Sequence, residues 1–183
     1  MIRSICVFCG SAPGARPSYS AAAEELGTAL AHRGITLVYG GGRLGLMGIV
    51  ADAALKAGGR VTGVIPRMLI DRELAHTGIT QQHVVTTMHE RKTLMAELSD
   101  GFVGLPGGMG TFDELVEIVT WAQLGLHAKP VVLANIENYF DAMYGMLDFA
   151  VQEKFVTPES RARWRNADSV TRVMQILAGE GIS

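Results

Sequence analysis

Apolar residues along this chain follow two rhythms that alternate. Short runs of Val, Ile, Leu, Phe and Tyr at 2–9, 35–39, 60–65, 82–86, 102–105 and 130–135 read as β-strands. Between them the apolar positions recur every three or four residues. That spacing predicts helices over 18–33, from the glycines at 40–42 to about 57, over 88–98, from near Thr111 onward, and over 139–153. Two short helices are expected at 158–163 and 169–178, Pro66 stops the third strand, and 67–78 reads as irregular.

Repeated β-α units with Val/Ile-rich strands predict an α/β fold: a Rossmann-like, doubly wound parallel sheet with helices on both faces. A length of 183 residues with 48% apolar content fits a single domain spanning 1–183. In such sheets ligands bind beyond the carboxyl ends of the strands, where the strand order switches. Three features fall at those ends: Gly10-Ser11, Gly40-Gly41-Gly42, and Pro106 to Thr111.

Charge and composition remove several function classes. A net charge of −2 and the absence of a Lys/Arg stripe argue against nucleic acid as a partner. No stretch reaches the roughly 18 uninterrupted apolar residues of a membrane span. Met1 to Phe8 reads as a strand rather than a signal peptide, so the cytoplasm is the expected compartment. Cys6 and Cys9 form a C-x-x-C, but on a strand residues three apart face opposite sides, and no further ligands stand at zinc spacing. The histidines at 32, 76, 83, 89 and 127 are scattered, so no metal is expected.

The chemistry concentrates in Leu105-Pro106-Gly107-Gly108-Met109-Gly110-Thr111-Phe112-Asp113-Glu114. A strand feeds a glycine turn and a helix follows at once, so main-chain N–H groups and about half a positive charge from the helix dipole face outward. Three glycines in four residues, 107 to 110, remove side chains that would keep an anion from those amides. Thr111 is expected as N-cap and as a hydroxyl donor to phosphate, with Met109 between the glycines. Asp113 and Glu114 would repel a bare phosphate, so the expected ligand has an anionic end joined to a hydroxyl-rich or reacting part, as a nucleotide has. Thr111-x-x-Glu114 also fits a capping box, which would occupy the glutamate structurally. Gly40 to Gly45 matches G-x-G-x-x-G, but it follows the second strand and lacks the acidic partner of a dinucleotide site. Gly41 and Gly42 are read instead as a turn whose backbone approaches the ligand. Arg91, in Met88-His89-Glu90-Arg91-Lys92, can fork onto a phosphate or a carboxylate.

Pro106-Gly107-Gly108-Met109-Gly110-Thr111-Phe112-Asp113-Glu114 resembles the P-G-G-x-G-T-x-x-E signature of the "lonely guy" family, the cytokinin riboside 5′-monophosphate phosphoribohydrolases, formerly labelled "possible lysine decarboxylase". Val7-Phe8-Cys9-Gly10-Ser11, Tyr39 to Gly42, Gly45-Leu46-Met47-Gly48, the Met88 to Lys92 element and Thr120-Trp121-Ala122-Gln123-Leu124-Gly125 extend the likeness over nearly the whole chain. The resemblance implies hydrolysis of the N-glycosidic bond of an (N6-substituted) adenosine 5′-monophosphate, without metal or organic cofactor, by a homodimer. It implies Arg91 and Glu114 as the reacting-centre pair and Gly107, Gly108, Gly110 and Thr111 as phosphate ligands. Lys92, Glu73 and Thr120 would line the nucleotide, with Met109, Asp113 and Ser11 beside them. Asp113 stands where many members carry Glu. Three rivals share the chain: a nucleotide or cofactor carrier without chemistry, a general AMP nucleosidase, and a pyridoxal-dependent decarboxylase. A carrier need not keep Arg91 and Glu114, and the decarboxylase needs a Schiff-base lysine with cofactor clamps that no constellation here supplies.

Overall fold

A computed structural model describes residues 2–70 and 75–179. Seven strands form one sheet in the order β4-β3-β2-β1-β5-β6-β7, and every neighbouring pair is parallel. The strands are β1 (Ser4–Phe8), β2 (Thr36–Tyr39), β3 (Val61–Pro66), β4 (Gln81–Val85), β5 (Gly101–Gly104), β6 (Val131–Ala134) and β7 (Arg165–Ala167). Six of these match expected runs. The seventh carries no apolar run, Arg-Asn-Ala, and takes its strand character from edge pairing with β6.

The helices are α1 (Pro17–His32), α2 (Gly45–Lys56), α3 (Met88–Glu97), α4 (Met109–Gln123), α5 (Asp141–Gln152), α6 (Pro158–Ala162) and α7 (Val170–Leu177). Each face of the sheet has its own apolar core. On one, Leu26 and Leu30 of α1, Val50 of α2 and Val173 of α7 pack over Ile5, Val7, Leu37 and Val103. On the other, Met95 of α3, Leu115 and Ile118 of α4 and Tyr144 of α5 cover Cys6, Phe8, Phe102 and Leu133. Helices therefore lie on both sides, as the alternating rhythm predicted. Cys6 and Cys9 fall in opposite cores, and both are free thiols.

The strand order turns at β1, where β2 lies on one side and β5 on the other. A crevice opens beyond the carboxyl ends of two strands whose following chains diverge to opposite faces. Gly10-Ser11 follows β1 and Pro106 to Thr111 follows β5, so both flank the switch. Gly40 to Gly42 follows β2, one strand away. Among the described residues no helix is long and apolar enough to cross a membrane.

Candidate active site

The loop after β5 is stitched to the loop after β1. The Gly10 N–H donates to the Pro106 carbonyl at 3.0 Å, and the Leu46 N–H donates to the Gly10 carbonyl at 3.0 Å. Gly107 sits where a Cβ would meet the Thr111 hydroxyl oxygen at 2.1 Å and the Gly10 nitrogen at 2.8 Å, so this glycine is required by close approach. Gly108 and Gly110 have open space where a Cβ would stand. Their bareness serves the cavity, not the packing.

Helix α4 starts earlier than expected. Its N-cap is Gly108, in extended conformation and with no side-chain cap, and no acidic residue lies in the first turn. Thr111 is therefore inside the first turn and is not the cap. Because the helix begins at Met109, the capping box anticipated for Thr111 and Glu114 does not form. The first N–H groups of α4 have no intrahelical acceptors, which makes this terminus attractive to an anion. The capping box lies instead on α3. Thr87 accepts from the Glu90 N–H at 3.1 Å, and the Glu90 carboxylate accepts from the Thr87 N–H at 3.4 Å.

A cavity of about 170 Å³ at this terminus is lined by Cys9, Gly10, Ser11, Met47, Arg91, Gly108, Met109, Gly110, Thr111 and Glu114. Arg91 and Glu114 are both buried, 5% and 8% exposed, and their closest charged atoms, Nη1 and Oε1, stand 3.9 Å apart. Arg91 is held from behind: its Nε donates to the Val64 carbonyl and its Nη2 to the Gly40 carbonyl, both at 3.2 Å. Burial, and then the nearby Glu114 charge, push the Cys9 thiol well above its ordinary range, so it stays protonated beside the pair. A larger cavity, about 480 Å³ among Ile2, Arg33, Ile35, Met174 and Leu177, lies near the opposite ends of the strands and is lined by no carboxylate among the described residues.

Of the residues picked out from sequence, the cavity gathers Ser11, Arg91, Gly108, Met109, Gly110, Thr111 and Glu114. Gly107 lines an adjoining, mostly apolar cavity of about 200 Å³ that shares Gly10, Ser11 and Gly108 with the first. Lys92 and Asp113 are paired with each other at 3.1 Å, and Lys92 also meets Glu117 at 2.9 Å, tying α3 to α4. The Thr120 hydroxyl donates to the Val116 carbonyl of its own helix at 2.7 Å and does not line the cavity. Gly41 and Gly42 do not line it either. The Gly41 carbonyl accepts from the His76 N–H at 2.9 Å, and Gly42 forms a β-bridge with Ala75. The backbone of that turn approaches its own chain, and Gly40 approaches Arg91. Glu73 lies outside the described residues.

Sequence reading placed Gly10 at a ligand-binding strand end but missed Cys9 and Met47 as wall residues. The signals available were the position of Cys9 at the end of the first strand and that of Met47 just after the second glycine segment. Lys92 also bears on the decarboxylase reading. Burial alone would lower its ammonium, but the pairs with Glu117 and Asp113 outweigh that and hold it above its ordinary range. A Schiff-base lysine needs the opposite shift. Among the described residues no group of three or more His, Cys, Asp or Glu could hold a metal.

The chain is 50% identical over 175 residues to the cytokinin riboside 5′-monophosphate phosphoribohydrolase LOG1 of Arabidopsis thaliana, covering 96% of this chain and 82% of that one. It is 49% identical over 162 residues to the enzyme of that name from Rhodococcoides fascians, covering 88% and 82%. Among solved structures, the molybdenum cofactor carrier protein of Chlamydomonas reinhardtii superposes with a TM-score of 0.73 at 21% identity over 98% of each chain, a likeness of fold alone. Residues 47–177 match the family model described as "Possible lysine decarboxylase". The chain therefore belongs to that family, alongside half-identical relatives named as cytokinin riboside 5′-monophosphate phosphoribohydrolases.

Proposed function

We propose that this protein hydrolyses the N-glycosidic bond of N6-substituted adenosine 5′-monophosphates, releasing the free base and ribose 5-phosphate. The observation that carries the reading is the buried Arg91–Glu114 pair, 3.9 Å apart, in one cavity with the uncapped start of α4. A phosphate on the amides of Gly108 to Thr111 leaves the sugar to reach toward Glu114. As the C1′–N bond breaks, its electrons leave with the base, and positive charge builds at C1′ and the ring oxygen. The Glu114 carboxylate stabilises that charge and orients the water whose oxygen bonds to C1′, and the proton which that water gives up neutralises the departing base. Arg91 fixes Glu114 in place, and the phosphate anchor supplies binding energy remote from the bond being broken. A carrier of the same fold would not need a buried acid at this distance from an arginine. A homodimer belongs to the proposal. It is supported by the exposed Val116, Leu124 and Leu126 in and just beyond α4, the last of which lines a surface cavity together with Trp121.

Chromatography of free base after incubation with isopentenyladenosine monophosphate, AMP and the unphosphorylated nucleoside tests the reading. Release is expected from the phosphorylated substrates only, with the ratio of the first two setting the demand for an N6 group. Glu114→Gln is expected to lower kcat by about two orders of magnitude or more while the fold survives. Turnover of the unphosphorylated nucleoside, or near-normal turnover by the variant, would contradict it.

A further inference from the structure

Tyr139 is an aromatic residue with polar work to do. It follows the 3-10 turn Ile136–Asn138, in which Glu137 and Asn138 both adopt positive φ, 54° and 59°. Left-handed backbone at two successive non-glycine residues persists only where the surroundings enforce it. Here they do. Buried Asn135 donates its side-chain amide to Asp141 at 2.7 Å, accepts the Phe140 N–H at 2.6 Å, and bonds through its own N–H to the Ala167 carbonyl at 2.7 Å. The ring of Tyr139 is boxed edge-on by Tyr19 and Phe140, with centroids 5.6 and 5.0 Å away, and lies over Phe112. From this socket its hydroxyl donates to the carbonyl of Gly107.

That carbonyl shares one rigid plane with the Gly108 N–H. Every peptide among the described residues is trans, so the two groups point in opposite directions. Tyr139 and Gly107 line the apolar side cavity, whereas Gly108 lines both that cavity and the one holding Arg91 and Glu114. A carbonyl held toward the tyrosine therefore turns the Gly108 N–H toward the catalytic cavity. A Gly-Gly peptide has little resistance of its own to flipping, and the flipped form would set a carbonyl oxygen against an anion. A hydrogen bond to the carbonyl also polarises the peptide and strengthens its N–H as a donor.

We infer that Tyr139 is a positioning residue for anion binding: it locks the Gly107–Gly108 peptide so that the Gly108 N–H receives the 5′-phosphate. The inference rests on the phosphate-loop reading given above. Tyr139→Phe keeps the ring and removes the hydroxyl. Calorimetric titration with ribose 5-phosphate and with AMP is expected to show Kd raised about tenfold, with KM following and kcat within about twofold, since the lost contact acts equally in ground and transition states. The matched control is Tyr144→Phe, which removes another buried phenol, bonded to the Arg165 carbonyl, far along the sheet. It should leave Kd unchanged. In amide NMR spectra the Gly108 resonance of the wild type is expected to move on addition of ribose 5-phosphate, and to move much less in Tyr139→Phe. Wild type that binds neither ligand would overturn the phosphate-loop reading itself. Wild type that binds, with Tyr139→Phe binding equally well or shifting Gly108 equally far, would overturn the role given to Tyr139 and leave the loop standing.

Discussion

At the scale of single residues, Gly40 shows how the site depends on an atom that is missing. A Cβ there would stand 2.1 Å from the Arg91 Nη2, the same nitrogen that donates to the Gly40 carbonyl. The tip of a long side chain can move aside, so Gly40→Ala should fold. What moves, however, is the group that faces Glu114. Melting temperature is expected to stay within a few degrees of wild type while kcat/KM falls at least tenfold, read from a thermal scan beside the base-release assay. Unchanged kcat/KM would show that Arg91 need not sit where it does. Arg91 and Glu114 were singled out in sequence by residue type and neighbourhood, and the structure brings both into one cavity. The role of Gly40 was not readable, since nothing in a G-x-G pattern says whether a ligand or an arginine from 51 positions further on fills the space.

Among the elements, the strands and helices were readable wherever one period ran long enough to be seen. The strand at 165–167 was not, because its three residues are set by neighbour pairing. Nor was the true start of α4, because glycine is neutral evidence at a helix N-terminus: the chain entered the helix at Met109 while still inside the glycine run. Asp100, between α3 and β5, illustrates a connection that no local pattern reveals. Its carboxylate accepts from the N–H groups of Arg3 at 2.7 Å and Ser4 at 3.1 Å, joining the start of β1 to that of β5. The bond from the Arg3 N–H leads the interactions that hold this carboxyl below its ordinary 3.8. A carboxylate depressed in the folded state contributes stability that is complete above 3.8 and is lost as pH falls from there through the folded-state value. Asp100→Asn is expected to be less stable than wild type by about 1 kcal/mol at neutral pH. The gap should narrow toward pH 3 in denaturant titrations, and a gap constant with pH would contradict the assignment.

For the molecule as a whole, the sheet explains why two of the three glycine segments meet in one cavity and the third does not. Two border the strand-order switch, and the third supports from one strand away. The exposed apolar residues need the same global view. Val116, Leu124 and Leu126 are 47%, 67% and 69% exposed and close together in sequence; a single exposed leucine would be ordinary, and several along one stretch support an interface. Light scattering on eluting protein is expected to give twice the 19.6 kDa of one chain, and a Val116→Lys, Leu126→Lys double variant to run as a monomer. A wild type of single-chain mass would remove the dimer from the proposal.

The carbonyls of Val64 and Gly40 give one last consequence. By gripping the guanidinium of Arg91 at two nitrogens, they make its charge a fixture of the scaffold where most surface cations wander. A nucleotide entering the crevice has no wandering limb to tame, so docking sacrifices little disorder in the host and the electric field it meets is already aimed.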